Sequence, residues 1–114
     1  MLTGAHAILF AQDANAARDF LRDVLGFESV DAGGGWLIFA LPPAEMAVHP
    51  TDGPPKHELY LMCDDIEATL AEFEGKGVEI AAPISEEGWG RLARIAVPGA
   101  GELGVYEPRH PTAI

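Results

Sequence analysis

His6-Ala-Ile-Leu-Phe-Ala-Gln-Asp13 stands near the start of the chain, and His57-Glu-Leu-Tyr-Leu-Met-Cys-Asp64 repeats its plan 51 residues later. Each stretch begins with a histidine, runs through apolar residues and ends on an aspartate. Beyond them Ala17 falls on Ala68 and Gly26 on Gly77. A fixed-period repeat marks one structural unit used twice. It also sets two histidines, His6 and His57, at symmetry-related places.

Outward from the first stretch, His6 to Phe10 predicts a strand with His6, Ile8 and Phe10 on one face. Asp13 or Asn15 is placed to cap a helix. The helix carries Ala17, Phe20, Leu21 and Val24 at helical spacing and stops at Gly26. Phe27 to Val30 reads as a short strand. Gly33-Gly34-Gly35 is a turn; neither a lysine nor a helix start follows it, so it is no phosphate loop. Trp36 to Leu41 is a strand closed by Pro42-Pro43, and Met46 to His49 is another, ended by Pro50. Thr51 to Lys56 is linker-like, dividing the chain into modules 1–50 and 57–114 joined by 51–56.

The second module repeats the order. A strand over His57 to Cys63 leads to a helix from Ile66, with Asp64 and Glu67 spaced like a capping box. Ile66, Leu70 and Phe73 make its buried stripe. Strands follow over Val78 to Ala81, Leu92 to Val97 and Leu103 to Tyr106. Each module is βαβββ, so the expected class is α+β, with curved mixed sheets around a cavity.

At 114 residues the chain is one domain by size, or two half-size modules sharing a core. Its hydrophobic fraction of 48% suits a packed core. No apolar run nears the roughly 20 residues of a membrane span, and no signal-peptide pattern is visible at the start. The expected location is the cytoplasm. Cys63 is the single cysteine, so no disulfide can form within the chain. Its apolar strand setting points to an inert buried thiol. Eighteen acids against seven bases give a net charge of −11. That argues against nucleic acid and anionic membranes as partners and is compatible with a cationic ligand.

The helix sequence Ala17-Arg-Asp-Phe-Leu-Arg-Asp-Val-Leu-Gly-Phe27, the two histidine strand starts and the ending Val105-Tyr-Glu-Pro-Arg-His-Pro111 carry a resemblance. A tandem βαβββ pair with these features resembles the vicinal oxygen chelate superfamily, which includes glyoxalase I, bleomycin-resistance proteins and extradiol dioxygenases. In metal-dependent members the first and fourth strands of each module supply ligands. The resemblance places His6 and His57 at the first-strand positions. At the fourth-strand positions, where glutamate is usual, it places Ala47 and Gly104.

Two imidazoles alone make a poor divalent site, because catalytic centres use three protein ligands and an open position. Glu45 and His49 share a strand face with Ala47, and Glu102 shares one with Gly104. Each is displaced by about 6.6 Å along a strand. The expected reading is therefore a metal-free protein that sequesters or carries a small molecule. No cofactor is favoured, and the ligand pocket is lined by His6, Trp36, Ala47, His57, Trp89 and Gly104. Tyr60 and Tyr106 are further wall candidates. Trp89, in Glu86-Glu-Gly-Trp-Gly90, is placed as a pocket lid. One alternative is a metal-dependent lyase or dioxygenase using His6 and His57 with Glu102 or Glu45. A second is a structural or regulatory dimer without pocket chemistry. Exposed strand edges and the superfamily's habit both predict a two-fold homodimer.

Overall fold

The computed structural model describes residues 6–45 and 47–114. Helix α1 (Ala14–Asp23) begins where Asp13 Oδ1 accepts the Ala16 amide at 3.0 Å, so Asp13 is the cap and Asn15 lies inside the first turn. Gly26, at φ +73°, turns the chain out of it. The antiparallel hairpin β1 (Ser29–Asp31) and β2 (Leu37–Phe39) follows, with Ser29 opposite Phe39. Its triple-glycine turn is held by Asp31, whose carboxylate accepts the amides of Gly33 at 2.8 Å and Gly35 at 3.2 Å.

The second module comprises β3 (Tyr60–Met62), α2 (Ile66–Gly75), β4 (Ile80–Glu87), β5 (Gly90–Val97) and β6 (Gly101–Pro108). They form a mixed sheet in the order β3-β6-β5-β4, with β3 parallel to β6 and the other pairs antiparallel. Alternation decides its two faces. Ala93, Ile95 and Val97 of β5, with Leu103 and Val105 of β6, turn to the helices. They bury against Ile66 and Leu70 of α2, Ala17 and Phe20 of α1, and Val78. Ile66, Ile95 and Val105 are fully buried, each stabilising the fold by about 1.5–3 kcal/mol. The helical stripe expected from Ile66, Leu70 and Phe73 is the one that packs.

The outer strand β4 carries Pro83, which has no amide to donate. Its register with β5 shifts on either side of Ala82. Both features suit a sheet edge. The fold is α+β with mixed sheet, and it is not a closed barrel. Among the described residues no helix is long and apolar enough to cross a membrane.

Module 1 departs from expectation. Residues 6–10 and 47–49 form no ladder, and Met46 lies outside the described residues. Two of the four strands expected there are therefore unformed. Leu9 and Ala11 do pack on the core, while Ile8, Phe10 and Val48 are 67%, 89% and 92% exposed. The cause is the destination of α1. Its apolar stripe joins the core of module 2, and none of the apolar side chains of β1 or β2 enters that core. A two-stranded ribbon without a covered face is marginal in water and gives further strands little to join. The other expected strands exist with shifted ends. β1 starts two residues late, β2 and β3 are shorter than expected, and β4, β5 and β6 are longer.

Candidate functional site

The two helices correct the repeat. Ala14 and Ile66, and Asp23 and Gly75, each stand 52 positions apart. So do the caps, because α2 is capped by Asp65, whose Oδ1 accepts the Ala68 amide at 3.0 Å. Asp64 is not the cap. Glu67, the other half of the expected box, pairs with Arg91 at 2.9 Å instead. The 51-residue spacing holds at the terminal glycines, Gly26 and Gly77, but its other pair differs in burial, Ala17 being buried and Ala68 exposed. Carried back from the helices, the 52-residue register matches His6 with Glu58 and Ile8 with Tyr60. Burial agrees: Leu9 and Ala11 pack on the core as Leu61 and Cys63 do. His57 thus falls out of symmetry with His6.

On the sheet face away from the helices, three strands set Tyr60, Gly104 and Arg94 side by side in register. The next row is Met62, Tyr106 and Leu92. Gly104 is buried because the Tyr60 ring lies on it; a β-carbon there would run into Tyr60 Cδ1 and Cε1. The space expected to be open at Gly104 is therefore roofed by an aromatic ring.

Around this row the aromatic side chains meet edge to face. Tyr60 and Tyr106 have centroids 6.0 Å apart at 89°, Trp89 and Tyr106 are 5.3 Å apart at 80°, and Tyr60 and Trp89 are 6.5 Å apart at 69°. His110 stacks on Tyr106 at 6.0 Å. Trp89 stands in the tight turn between β4 and β5, and its carbonyl accepts the Arg109 amide at 2.9 Å. Its ring is part of the cluster and is 37% exposed. The Arg94 guanidinium lies 5.9 Å from the Tyr60 ring centroid.

Polar neighbours tune the cluster. Tyr60 Oη donates to Glu58 Oε2, and Lys56 pairs with Glu58 at 2.9 Å. The Tyr60 bond, then Lys56, lowers the Glu58 carboxyl pKa; the same bond, then burial, raises the Tyr60 hydroxyl. Burial, then the charge of Glu45, pushes the Tyr106 hydroxyl up. The Cys63 thiol is raised chiefly by burial and reaches the Tyr106 carbonyl at 3.5 Å, which fits an inert thiol.

The expected pocket residues do not converge within one chain. His6, His57, Ala47 and Glu102 are exposed. Trp36 is exposed on the module 1 hairpin, under the Arg18 guanidinium at 5.2 Å. Glu45 is half-buried and accepts the Ala113 amide at 2.7 Å. Trp89 and Gly104 fall in the aromatic cluster, together with the further wall candidates Tyr60 and Tyr106. Two surface clefts, one lined by Phe10, Gln12 and Gly99 and the other by Phe20, Val24 and Lys76, include none of the expected pocket residues. A divalent metal does not fit the fourth-strand position of module 2. Gly104 offers no donor, a ring covers it, and a guanidinium flanks it. Among the described residues no three His, Cys, Asp or Glu side chains are grouped to hold an ion. Sequence reasoning missed Glu58, Arg94 and His110. Alternation along β5 could have placed Arg94 on this face, but its neighbours follow only from the sheet register.

No curated protein matches the sequence. Solved structures share its fold. TnmS3, an antibiotic binding protein from Streptomyces sp. CB03234, is 26% identical with a TM-score of 0.63, covering 95% of this chain and 99% of its own. A superfamily member from Sphaerobacter thermophilus DSM 20745 is 22% identical with a TM-score of 0.64, covering 93% and 98%. A lactoylglutathione lyase from Agrobacterium tumefaciens is 21% identical with a TM-score of 0.61, covering 92% of each chain. The family profile matches residues 4–109, nearly the whole repeat-built domain. The chain therefore belongs to the Glyoxalase/Bleomycin resistance protein/Dioxygenase superfamily.

Proposed function

We propose that this chain is a metal-free small-molecule-binding protein, a sequestering or carrier protein that acts as a homodimer in the cytoplasm. The observation that carries the reading is the row Tyr60, Gly104, Arg94. Where metal-dependent relatives would place a carboxylate, this chain has a glycine beneath an aromatic ring, with a guanidinium beside it. A surface of tyrosine, tryptophan and histidine with few polar groups suits binding of an organic ligand. The likeness to TnmS3, described as an antibiotic binding protein, supports the same direction.

A second copy supplies what module 1 lacks. Ile8, Phe10, Val30 and Val48 are exposed apolar residues on or beside unpaired strand segments. Such surface is stabilised by an isologous two-fold contact. His6, Ala47 and Trp36 would then reach a ligand site through the dimer.

The test is untagged protein equilibrated with Zn²⁺, Ni²⁺ or Fe²⁺, dialysed, and assayed for metal and for mass by light scattering. The expected result is a dimer at micromolar concentration without stoichiometric metal. An ion retained one per chain and lost in His6→Ala would overturn the metal-free reading, and a monomer mass would overturn the dimer.

A further inference from the structure

We propose that Arg94 is the anion receptor of the sheet face away from the helices, and that the ligand is an aromatic molecule bearing a carboxylate or equivalent anionic group. The proposal rests on the small-molecule-binding reading and narrows it to a ligand class.

Among the described residues Arg94 and Arg18 are the two bases without a carboxylate partner, and each lies over an aromatic ring. Arg22, Lys56, Lys76, Arg91 and Arg109 each hold a carboxylate within 4.0 Å. Arg18 donates to Asn15 Oδ1 at 3.2 Å. Among the described residues Arg94 has no carboxylate within that reach, although the chain carries eighteen acids against seven bases. Residues 1–5 and Met46, which lie outside the description, include no acidic side chain. The nearby acid, Glu58, is already engaged by Lys56 and by the Tyr60 hydroxyl. Glu102, exposed on β6, lies one row further along, opposite Ala96. Glu58 feels both Lys56 and Arg94, and Glu45 acts on Tyr106, but neither carboxylate closes the Arg94 fork. An acidic chain suggested a cationic ligand, but that ligand's charge would here meet a guanidinium.

The position suits recognition. Arg94 lies on β5, an inner strand, and is half-buried against the Tyr60 ring. A guanidinium carries five donors in a planar fork that matches a carboxylate with two parallel hydrogen bonds. Contact with an aromatic ring holds it while limiting its hydration. Tyr60, Tyr106 and Trp89, with Leu92 and Met62 beside them, make the apolar remainder of the surface. That pairing of an edge-to-face aromatic wall with one cationic fork suits an aromatic acid.

The probe pair is 2-naphthoate and 2-naphthamide, equal in shape and different in charge, titrated calorimetrically and followed by the ¹H–¹⁵N signal of Arg94 Nε. The wild-type protein should prefer naphthoate by roughly tenfold or more, the range of a hydrogen bond to a charged group. The Nε signal should shift with naphthoate only. Arg94→Gln should abolish the preference by weakening naphthoate far more than naphthamide, and Arg94→Lys should restore part of it. Trp89→Leu should weaken both probes. Equal wild-type affinities, or an Arg94→Gln variant that weakens both probes alike, would overturn the anion receptor while the small-molecule reading stands. Failure of both probes to bind at millimolar concentration would also overturn it. Melting curves of each variant separate lost binding from lost folding.

Discussion

Module 1 and module 2 begin from the same plan and finish differently. Module 2 builds four strands, three of them eight residues long, with a helix packed on one face. Among its described residues module 1 builds two strands of three residues, and its helix packs on the other module's core. The difference teaches that alternation of apolar residues proposes a strand, while a covered face decides whether it forms. Residues 6–10 are as apolar as 58–62, yet only Tyr60–Met62 lie beside β6 with a helix behind the sheet.

The contrast breaks most easily in the core. Ile95→Ala should cost about 2–5 kcal/mol in urea unfolding, because Ile95 is fully buried. Phe10→Ala, at an 89% exposed site, should cost less than about 0.5 kcal/mol in dilute protein. Its effect should appear instead as a weaker dimer on concentration-dependent light scattering. Equal costs for the two changes would mean that module 1 is as well packed as module 2.

Gly104→Ala sharpens the comparison at the site. The added carbon must displace the Tyr60 ring, so a loss of about 1–3 kcal/mol is expected. In a Tyr60→Ala background the same change should cost far less, and a double-mutant cycle reads that coupling directly. A cost unaltered by Tyr60→Ala would show that something else fills the space.

The smallest effect tests the register. Asp65→Ala should lose about 1 kcal/mol, the ordinary worth of an N-cap, and Asp13→Ala should lose as much from α1. Asp64→Ala should stay within about 0.5 kcal/mol. If Asp64 proved the costlier of the two, the 51-residue register, and with it the pairing of His6 with His57, would return.

Both helices were legible because their signals are local: an aspartate cap, apolar residues at helical spacing, and Gly26 or Gly77 at the end. The buried face of β5 and β6 was legible for the same reason, since alternation alone separates Ile95 from Arg94. The site was less so. Aligning the two histidine-to-aspartate stretches, with Ala17 on Ala68 and Gly26 on Gly77, slipped the strand end by one residue, and a one-residue slip moves every side chain to the other face. Glu58 was passed over for His57 on that account. The Tyr60 ring over Gly104 depends on which strand lies beside β6, and parallel neighbours far apart in sequence leave no local trace.

Pro83 and the shifted register of β4 also bear on how copies can add together. Endless stacking of sheets requires two adhesive rims, one to receive and one to offer. On the four-stranded sheet the β4 rim is blunted by a missing amide and a kink, while the β3 rim is plain. Growth through this sheet therefore stops after a single addition. The better-formed sheet thus presents one plain edge, which limits how this chain's exposed apolar surface can be extended strand by strand.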